Sequence, residues 1–172
     1  MPQAALPIGV ISDTHGLLRP EAIDALAGCE LIIHAGDVGD PAILTRLREL
    51  APVVAVRGNV DRGAWAEALP ETAVVEFSGA RIYVLHKIQD LDLNPSAAGF
   101  RMVISGHSHK PSQTERDGVT YLNPGSAGRR RFRLPITLAR IAPLNKDWDV
   151  NLIDLLNLNS EVEVDGHRKL GG

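Results

Sequence analysis

The chain has 172 residues, a formal net charge of −3, and contents of 44% hydrophobic and 23% charged residues. This length suits one domain with a sizeable core, and the weak negative charge gives no indication of a nucleic-acid or membrane-surface partner. No apolar run is long enough to cross a bilayer, the first residues lack the pattern of a signal peptide, and the single cysteine, Cys29, leaves no disulfide partner within this chain. We therefore expect a cytoplasmic protein in which Cys29 is a packing residue.

The first third of the chain alternates short apolar runs with helical patterns. Residues 8–12, 31–35 and 53–56 are near-continuous apolar runs and are predicted to be buried strands. Helices are predicted over residues 20–27 and from Pro41 onward, where apolar residues recur at helical spacing after a proline. This order of strands and helices indicates parallel strands that are covered on both faces.

The rest of the chain favours hairpins and late, mostly antiparallel strands. Two pairs of predicted strands are joined by the turn sequences Ser78-Gly79 and Asp117-Gly118. The predicted elements of this part are a short helix over 95–99 and strands over 74–77, 81–85, 102–104, 113–116, 119–122, 136–141 and 148–153. We expect a single domain over residues 1–159 and a polar tail over residues 160–172 that frays.

Side chains that commonly bind metals follow the predicted strands. The loop Ser105-Gly106-His107-Ser108-His109 comes directly after the apolar run 102–104, and neutral imidazole is the commonest metal ligand in proteins. Because ligands of open α/β sheets bind outside the carboxyl ends of the strands, we expect these residues to lie along one rim. The candidate metal ligands are Asp13, His15, Asp37, Asn59, His86, His107 and His109.

This mixture of Asp, Asn and His side chains has a chemical consequence. It suits borderline divalent cations such as Mn²⁺, Fe²⁺, Ni²⁺ or Zn²⁺. Two such cations roughly 3.5–4 Å apart can hold a phosphate and acidify a shared water. The resulting hydroxide attacks phosphorus in line with the leaving oxygen, while the cations offset the charge of the phosphate. The pattern therefore predicts a site that hydrolyses phosphoesters.

Each candidate ligand also has an explanation that involves no function. Taken alone, Asp13 could be a helix cap, Asp37 a turn residue and Asn59 a residue that tolerates a left-handed backbone. His86 could be a packing residue. Ligation is favoured because all of them stand at strand ends in a chain that also carries paired histidines.

Other polar residues are predicted to lie outside the ligand set. We expect His34, which lies inside a strand pattern, to be a core histidine or an outer hydrogen-bond partner of a metal-binding carboxylate. Asp40 and Asp61 are predicted loop or cap residues, with Asp61 the best spare acid. His167 is predicted to be solvated.

Five short motifs occur in a set order and together carry a family resemblance. They are Ser12-Asp13-Thr14-His15-Gly16, His34-Ala35-Gly36-Asp37, Val56-Arg57-Gly58-Asn59-Val60-Asp61, Gly106-His107-Ser108-His109 and Asn123-Pro124-Gly125-Ser126. From Ile8 to Ile141 the chain resembles the calcineurin-like metallophosphoesterase superfamily, and more narrowly its small YfcE-type phosphodiesterase branch. The resemblance implies an α/β fold, a four-layer αββα sandwich of two mixed sheets flanked by helices.

The resemblance also implies a two-metal site and an activity. The implied ligands are Asp13, His15 and His109 for the first metal, Asp37 as the bridge, and Asn59, His86 and His107 for the second. Asn59 and His107 would be the catalytic residues, acting through metal-bound water and phosphate positioning, with Asn59 near a substrate oxygen. The implied cofactor is a pair of divalent ions, Mn²⁺ with Fe, Ni or Zn as alternatives. The implied enzyme is a phosphodiesterase that hydrolyses small phosphate esters through a metal-bridging hydroxide.

The chain departs from the family pattern at two positions. Many members carry Gly-Asn-His-Glu, whose histidine is thought to assist the leaving group, whereas this chain has Val60, which cannot transfer a proton. Lys87 stands where a glycine is common, and it is a candidate for contact with a substrate phosphate.

The most basic stretch of the chain is Arg129-Arg130-Arg131-Phe132-Arg133. Guanidinium groups favour phosphate, so Arg129 and Arg130 are candidate substrate-binding residues, and the alternative is a solvated surface loop. Aromatic residues make up only 4% of the chain, so no stacking groove for a nucleic-acid polymer is expected. The expected partner is a small phosphoester rather than a membrane, and a homo-oligomer is left open.

Two alternative functions remain at this point. One is a non-catalytic scaffold or interaction module of the same fold, like the retromer scaffold subunit, in which catalytic features are degraded. The other is a nucleotide or dinucleoside polyphosphate hydrolase of the same superfamily. The presence of the full set of candidate ligands favours an enzyme over a scaffold.

Overall fold

The computed structural model describes residues 5–145 and 147–164, and most of its regular structure lies in two five-stranded sheets. The strands are β1 (Ile8–Ile11), β2 (Leu31–His34), β3 (Val53–Ala55), β4 (Thr72–Phe77), β5 (Ala80–Leu85), β6 (Met102–Ile104), β7 (Ser112–Arg116), β8 (Val119–Asn123), β9 (Thr137–Leu144) and β10 (Asp147–Asp154). The helices are α1 (Pro20–Leu26), α2 (Pro41–Arg48) and α3 (Ala64–Glu67), and Ile88–Asp90 forms a 3-10 turn.

The first sheet has the strand order β10-β9-β1-β2-β3. Its strands β1, β2 and β3 are parallel, with Ile8 opposite Leu31 and Ile32 opposite Val53. Parallel strands need crossover connections, which α1 and α2 provide. Strands β9 and β10 add to the β1 edge in antiparallel orientation. The predicted parallel beginning and antiparallel end of the chain are therefore confirmed.

The second sheet has the strand order β4-β5-β6-β8-β7. Strands β5, β6 and β8 are parallel, and β4 and β7 are the edge arms of two hairpins. The hairpin turns Ser78-Gly79 and Asp117-Gly118 have positive φ at both central residues, from 49° to 78°, as type I′ turns require. Both predicted hairpins are confirmed.

Three buried hydrophobic clusters hold the sheets and helices together. Val10 of β1 packs in one cluster with Ile104 of β6, which places this cluster between the two sheets. Ile11 of β1 packs with Leu47 of α2 in a second cluster, on the helical side of the first sheet. Cys29 is buried in that second cluster and burial raises the pKa of its thiol, in agreement with its predicted packing role. The two sheets therefore form the predicted sandwich, with β1 buried on both faces.

The outer face of the second sheet is covered differently from the first. The segment after β5, with its 3-10 turn, packs there in a third cluster that includes Phe100. The short helix predicted over 95–99 is wrong, because these residues form a hydrogen-bonded turn. Asn94 accepts the N–H of Ala97 at the start of this turn, and Gly99 ends it at a φ of +81°. The sequence pattern also missed α3, whose four residues are too few to show helical periodicity.

None of the helices in the described ranges is long and apolar enough to cross a membrane. The predicted tail lies partly outside the described residues, and His167 is among those outside. Fraying of the tail and the solvation of His167 therefore stay predictions.

Candidate metal centre

The first group of candidate ligands is formed by Asp13, His15 and His109. The Nε2 atoms of the two histidines lie 3.2 Å apart. Oδ1 of Asp13 lies 3.3 Å from Nε2 of His109 and 3.7 Å from Nε2 of His15. Two ring nitrogens and one carboxylate oxygen therefore point at a common position at the ends of β1 and β6.

Hydrogen bonds explain why Oδ1 of Asp13 faces this position. Its other oxygen, Oδ2, accepts the hydroxyl of Ser12 at 2.6 Å and the backbone N–H of His107 at 3.0 Å. Oδ1 is buried and has no hydrogen-bond partner among the described residues, and the same is true of Nδ1 of His109. Burial alone would raise the pKa of Asp13, but the nearby rings of His109 and His15 and the hydrogen bond from Ser12 outweigh it and hold the pKa well below its usual value.

The second group is formed by Asp37, His86 and His107, with Asn59 beside them. Oδ2 of Asp37 lies 3.2 Å from Nε2 of His86. Oδ1 of Asn59 lies 3.1 Å from both Nε2 of His86 and Nδ1 of His107. These residues follow β2, β3, β5 and β6, so both sheets contribute to the group.

The orientation of His86 is fixed by a hydrogen bond to the backbone. Nδ1 of His86 lies 2.7 Å from the carbonyl oxygen of Ala35, so it must donate its proton there. In the neutral ring, Nε2 then carries a lone pair that faces oxygens of Asp37 and Asn59. Burial lowers the pKa of His86, but the carboxylate of Asp37 and the carbonyl of Ala35 favour the protonated ring, and the pKa is raised. A nitrogen lone pair surrounded by oxygens is a place for a cation.

Asp37 lies between the two groups. Its Oδ2 is 3.7 Å from Nε2 of His15 in the first group and 3.2 Å from Nε2 of His86 in the second. Its Oδ1 accepts the backbone N–H of Val60 at 3.0 Å. Burial would raise the pKa of Asp37, but the bonds with His86 and Val60 lower it below its usual value. One ionised oxygen thus faces both groups, as a bridging ligand must.

These donor sets fit divalent cations. The two groups that can each hold a metal ion are Asp13, His15 and His109, and Asp37, His86 and His107. The donors are imidazole nitrogens and carboxylate oxygens, which suit Mn²⁺, Fe²⁺, Ni²⁺ and Zn²⁺. The unpartnered Oδ1 of Asp13 and the lone pair of His86 are polar atoms that a bound cation would satisfy.

The backbone is strained at the same residues. Five of the nine described non-glycine residues with positive φ are candidate ligands: Asp13, His15, Asp37, His107 and His109. Non-glycine residues rarely adopt this conformation, and such strain clusters at functional sites. Glycines permit the close approach of the loops, since a Cβ on Gly58 would collide with Asp37 and one on Gly106 with Ser12 and Asp13.

The residues predicted to lie outside the ligand set hold the loops in place. The carboxylate of Asp61 accepts the N–H groups of Gly39 at 2.9 Å, Gly58 at 2.8 Å and Val38 at 3.3 Å. Asp61 is therefore a loop residue, as predicted, and not a spare acid. Asp40 caps α2 by accepting the N–H of Ala42 at 2.8 Å.

His34 is a core histidine, as predicted, and the alternative interpretation, a bond to a metal-binding carboxylate, is wrong. Its Nδ1 accepts the N–H of Gly36 at 3.2 Å, so its Nε2 carries the proton and donates to the hydroxyl oxygen of Thr14 at 3.0 Å. The Thr14 hydroxyl in turn donates to the carbonyl of Val38 at 2.9 Å. Burial lowers the pKa of His34 to about 4. The ring therefore links the ends of β1 and β2 in its neutral form.

Sequence reasoning did not identify how Ser12 and Asp61 support the site. Ser12 orients Asp13, and the only signal for it was its position directly before the first ligand. Asp61 joins the loops that follow β2 and β3. Gly58 and Asp61 are three residues apart, as in a tight turn, and this spacing could have suggested that the Asp61 side chain bonds to its own loop. The bonds from Val38 and Gly39 could not be foreseen, because these residues are distant in the sequence.

Two grooves adjoin the ligand groups. The larger, of about 940 Å³, runs past Asn59 and His86 and is also lined by Lys87. The smaller, of about 450 Å³, is lined by His107, Ser108 and neighbouring residues. Lys87 is half-buried. Burial, then the charge of His86 and then the charge of Lys87 lower the pKa of His107.

The remaining sequence-predicted positions are exposed. Arg129 and Arg130 lie on an exposed loop after Gly128 and line neither groove. The side chain of Val60 is 42% exposed, and only its backbone N–H reaches a ligand. No proton donor therefore stands at the position of the family's leaving-group histidine.

Comparisons with known proteins agree with this site. The sequence profile described as "Calcineurin-like phosphoesterase superfamily domain" matches residues 6–146. A protein of Methanothermobacter thermautotrophicus named "Probable metallophosphoesterase" is 42% identical over 131 residues, which cover 69% of this chain and 76% of the relative.

Solved structures share the fold at lower identity. The phosphoesterase YfcE of E. coli has a TM-score of 0.68 at 22% identity, over 89% of this chain and 95% of that chain. Vps29 of Chaetomium thermophilum has a TM-score of 0.71 at 21% identity, over 86% of this chain and 96% of that chain. The two sheets, the two ligand groups and the matched profile lead to one conclusion: the chain belongs to the calcineurin-like phosphoesterase superfamily, a family of metal-dependent phosphoesterases.

Proposed function

We propose that this protein is a phosphodiesterase that uses two divalent cations, preferably Mn²⁺, to hydrolyse small phosphate esters. The observation that carries the proposal is the pair of donor groups that share Oδ2 of Asp37. The ligands proposed are Asp13, His15 and His109 for one cation, Asn59, His86 and His107 for the other, and Asp37 for both.

The protein side chains bind and orient in this proposal. Cations bound here supply Lewis acidity, which neutralises phosphate charge and lowers the pKa of water. Asn59 places its Oδ1 against His86 and His107, which leaves its amide N–H₂ to donate to a phosphate oxygen. His107 is exposed and lines the smaller groove, and its lowered pKa keeps its ring neutral and able to bind a metal. Asn59 and His107 therefore position the reacting phosphate.

Two grooves favour a diester over a monoester. A diester carries two organic groups and a monoester carries one. The groove of about 940 Å³ reaches Asn59 and His86, and the groove of about 450 Å³ reaches His107. A phosphate held between the ligand groups could therefore direct one substituent into each groove. Lys87 lines the larger groove, and we include it, with Arg129 and Arg130, among the residues proposed to contact substrate phosphate.

Turnover of bis(4-nitrophenyl) phosphate with added Mn²⁺, and metal content by elemental analysis, test the proposal. Asp37→Ala should lose both metal and activity because it removes the oxygen that faces both groups, and His107→Ala should do the same through the second group. Asp40→Asn is the matched control, since Asp40 only caps α2 and Asn caps helices as well as Asp. Full activity in Asp37→Ala would refute the two-metal assignment.

The alternative function is a non-catalytic scaffold, and the fold shared with Vps29 favours it. The same assay decides between the two functions. If neither a diester nor a monoester is turned over faster with Mn²⁺ than after EDTA treatment, the scaffold is supported. A parallel series with Fe²⁺, Ni²⁺ and Zn²⁺ would identify the preferred metal of the enzyme.

A further inference from the structure

An arginine-rich loop, residues 129–133, stands out on the surface of the molecule. Its sequence is Arg-Arg-Arg-Phe-Arg, and all five residues are exposed. Phe132 is 93% exposed, more than any other large hydrophobic residue in the described part of the chain. It also has a φ of +52°, a strained conformation for a bulky residue outside a hairpin turn. The backbone thus holds an aromatic ring out in water.

The arginines of the loop form no ion pair with the residues that the structure describes. Within the described ranges, no acidic side chain forms an ion pair with Arg129, Arg130, Arg131 or Arg133. Elsewhere arginines are engaged, as Arg57 is with Glu71. Four exposed arginines that form no ion pair with the described residues flank one exposed aromatic residue in the sequence, in a chain of net charge −3. This combination suits an anion that also carries an apolar face.

The loop is anchored to the rim of the metal centre. The hydroxyl of Ser126 donates to the backbone carbonyl of Asp13 at 2.9 Å. Gly128 lies so close that a Cβ on it would collide with the carbonyl of Thr14. Arg19 donates two hydrogen bonds of 3.2 Å to the carbonyl of Gly128. The base of the loop is therefore fixed to the backbone that carries the first ligand, while its tip faces solvent.

We propose that this loop binds the nucleoside end of a nucleotide-bearing phosphoester, with Phe132 stacked on the base and the arginines on phosphate oxygens. The proposal rests on the proposed phosphodiesterase function, because that function places a phosphoester next to Asp13. A nucleobase offers an aromatic face at a short distance from phosphates, and the loop carries one exposed aromatic residue among four exposed arginines. An anionic membrane would use the same charges, but a single aromatic residue anchors weakly in a bilayer.

Binding of a short fluorescein-labelled oligothymidylate to the full chain tests the proposal. Fluorescence anisotropy is measured in EDTA, so that the result does not depend on turnover. Phe132→Ala should weaken binding by about 5- to 150-fold, the range for loss of one base–aromatic stack. Leu158→Ala, which removes a side chain that is 72% exposed, is the matched control and should bind as the wild type does. Arg130→Gln should reduce the salt dependence by about one phosphate contact, whereas Arg48→Gln on α2 should not.

Two further probes separate the alternatives. An abasic oligomer of the same length should bind wild type and Phe132→Ala equally, and an equal loss on both probes would overturn the stacking. Vesicles of phosphatidylserine and phosphatidylcholine should not distinguish the two proteins. If Phe132→Ala loses vesicle binding and keeps oligothymidylate binding, the loop is a membrane contact and the proposal is wrong. Absence of metal-dependent turnover would overturn the proposed function and leave this binding result standing, so the two failures are distinguishable.

Discussion

In individual candidate ligands, hydrogen bonds to the atom that faces away from the site determine which atom faces the site. Oδ2 of Asp13 is held by Ser12 and the backbone of His107, so Oδ1 is left for the metal position. Nδ1 of His86 is held by the carbonyl of Ala35, so Nε2 is left. Outer hydrogen bonds of this kind fix the orientation and raise the basicity of metal ligands. The ligand set is therefore oriented by its own hydrogen bonds.

His34, which is not a candidate ligand, is also held in place by hydrogen bonds at both ring nitrogens, and these bonds require its neutral form. It is completely buried, and its neutral ring accepts from Gly36 and donates to Thr14. A proton on Nδ1 would break the bond from Gly36 and place a charge in the core. This accounts for the folded-state pKa of about 4 against an ordinary value of 6.5.

We predict that His34 makes the metal-free protein less stable in acid. Below pH 6.5 the unfolded chain binds a proton at His34, whereas the folded chain does not until about pH 4. The contribution of neutral His34 to the free energy of unfolding is therefore fully present above its ordinary pKa of 6.5. It is lost as the pH falls, by about 2 kcal/mol between about pH 7 and pH 5. Urea unfolding in EDTA at the two pH values measures the loss. His34→Asn keeps an acceptor for Gly36 and should lose correspondingly less; equal losses in both proteins would contradict the prediction.

At the scale of secondary-structure elements, the site depends on how the loops after β2 and β3 are joined. The first loop carries Asp37 and the second carries Asn59. Asp61 joins them, because its carboxylate accepts N–H groups from Val38 and Gly39 in one loop and from Gly58 in the other. The separation between the two ligands is thus set by a carboxylate that binds no metal.

Replacing Asp61 should therefore weaken metal binding from outside the ligand set. In Asp61→Asn the amide nitrogen faces a backbone N–H, which leaves a buried donor unsatisfied and costs about 1–3 kcal/mol of unfolding free energy. Loosening of the loops should lower metal affinity by about 10- to 100-fold. Urea unfolding and a metal titration measure the two effects. Asp40→Asn should change neither, since its carboxylate only caps α2; unchanged metal affinity in Asp61→Asn would show that the loops are positioned by other contacts.

The same scale shows what the sequence could predict. The ends of β1, β2, β5 and β6 were predictable because near-continuous apolar runs mark buried strands, and polar residues directly after such runs share one rim. The insertion of β8 between β6 and β7 was not, because strand pairing is non-local and leaves no signal in the periodicity. The roles of Asp61 and His34 depend on partners that are distant in the chain. A solvated surface loop was one of two interpretations of residues 129–133, and the sequence could not decide the exposure of Phe132 because its neighbours do not show whether its side chain packs against the core.

For the whole molecule, the metal centre is a connection between the two sheets. The first sheet supplies Asp13 and Asp37 from the ends of β1 and β2, and the second supplies His86 and His109 from the ends of β5 and β6. Ions bound between these candidate ligands would connect the two halves of the sandwich at their common edge. The unfolded chain has no such arrangement, so metal binding is coupled to folding.

Adding Mn²⁺ should therefore raise the thermal unfolding temperature. An ion at a free concentration of 100 times its Kd stabilises the folded state by about 2.7 kcal/mol, and in a chain of this size each kcal/mol raises Tm by about 2–4 °C. We expect a rise of about 5–10 °C in differential scanning fluorimetry, reversed by EDTA. The Asp37→Ala variant should lose most of this rise in Tm, because the substitution removes the oxygen that faces both groups. The Asp40→Asn variant should keep the rise. A wild-type Tm that is the same in saturating Mn²⁺ and in EDTA would mean that the two sheets are not held together through these side chains.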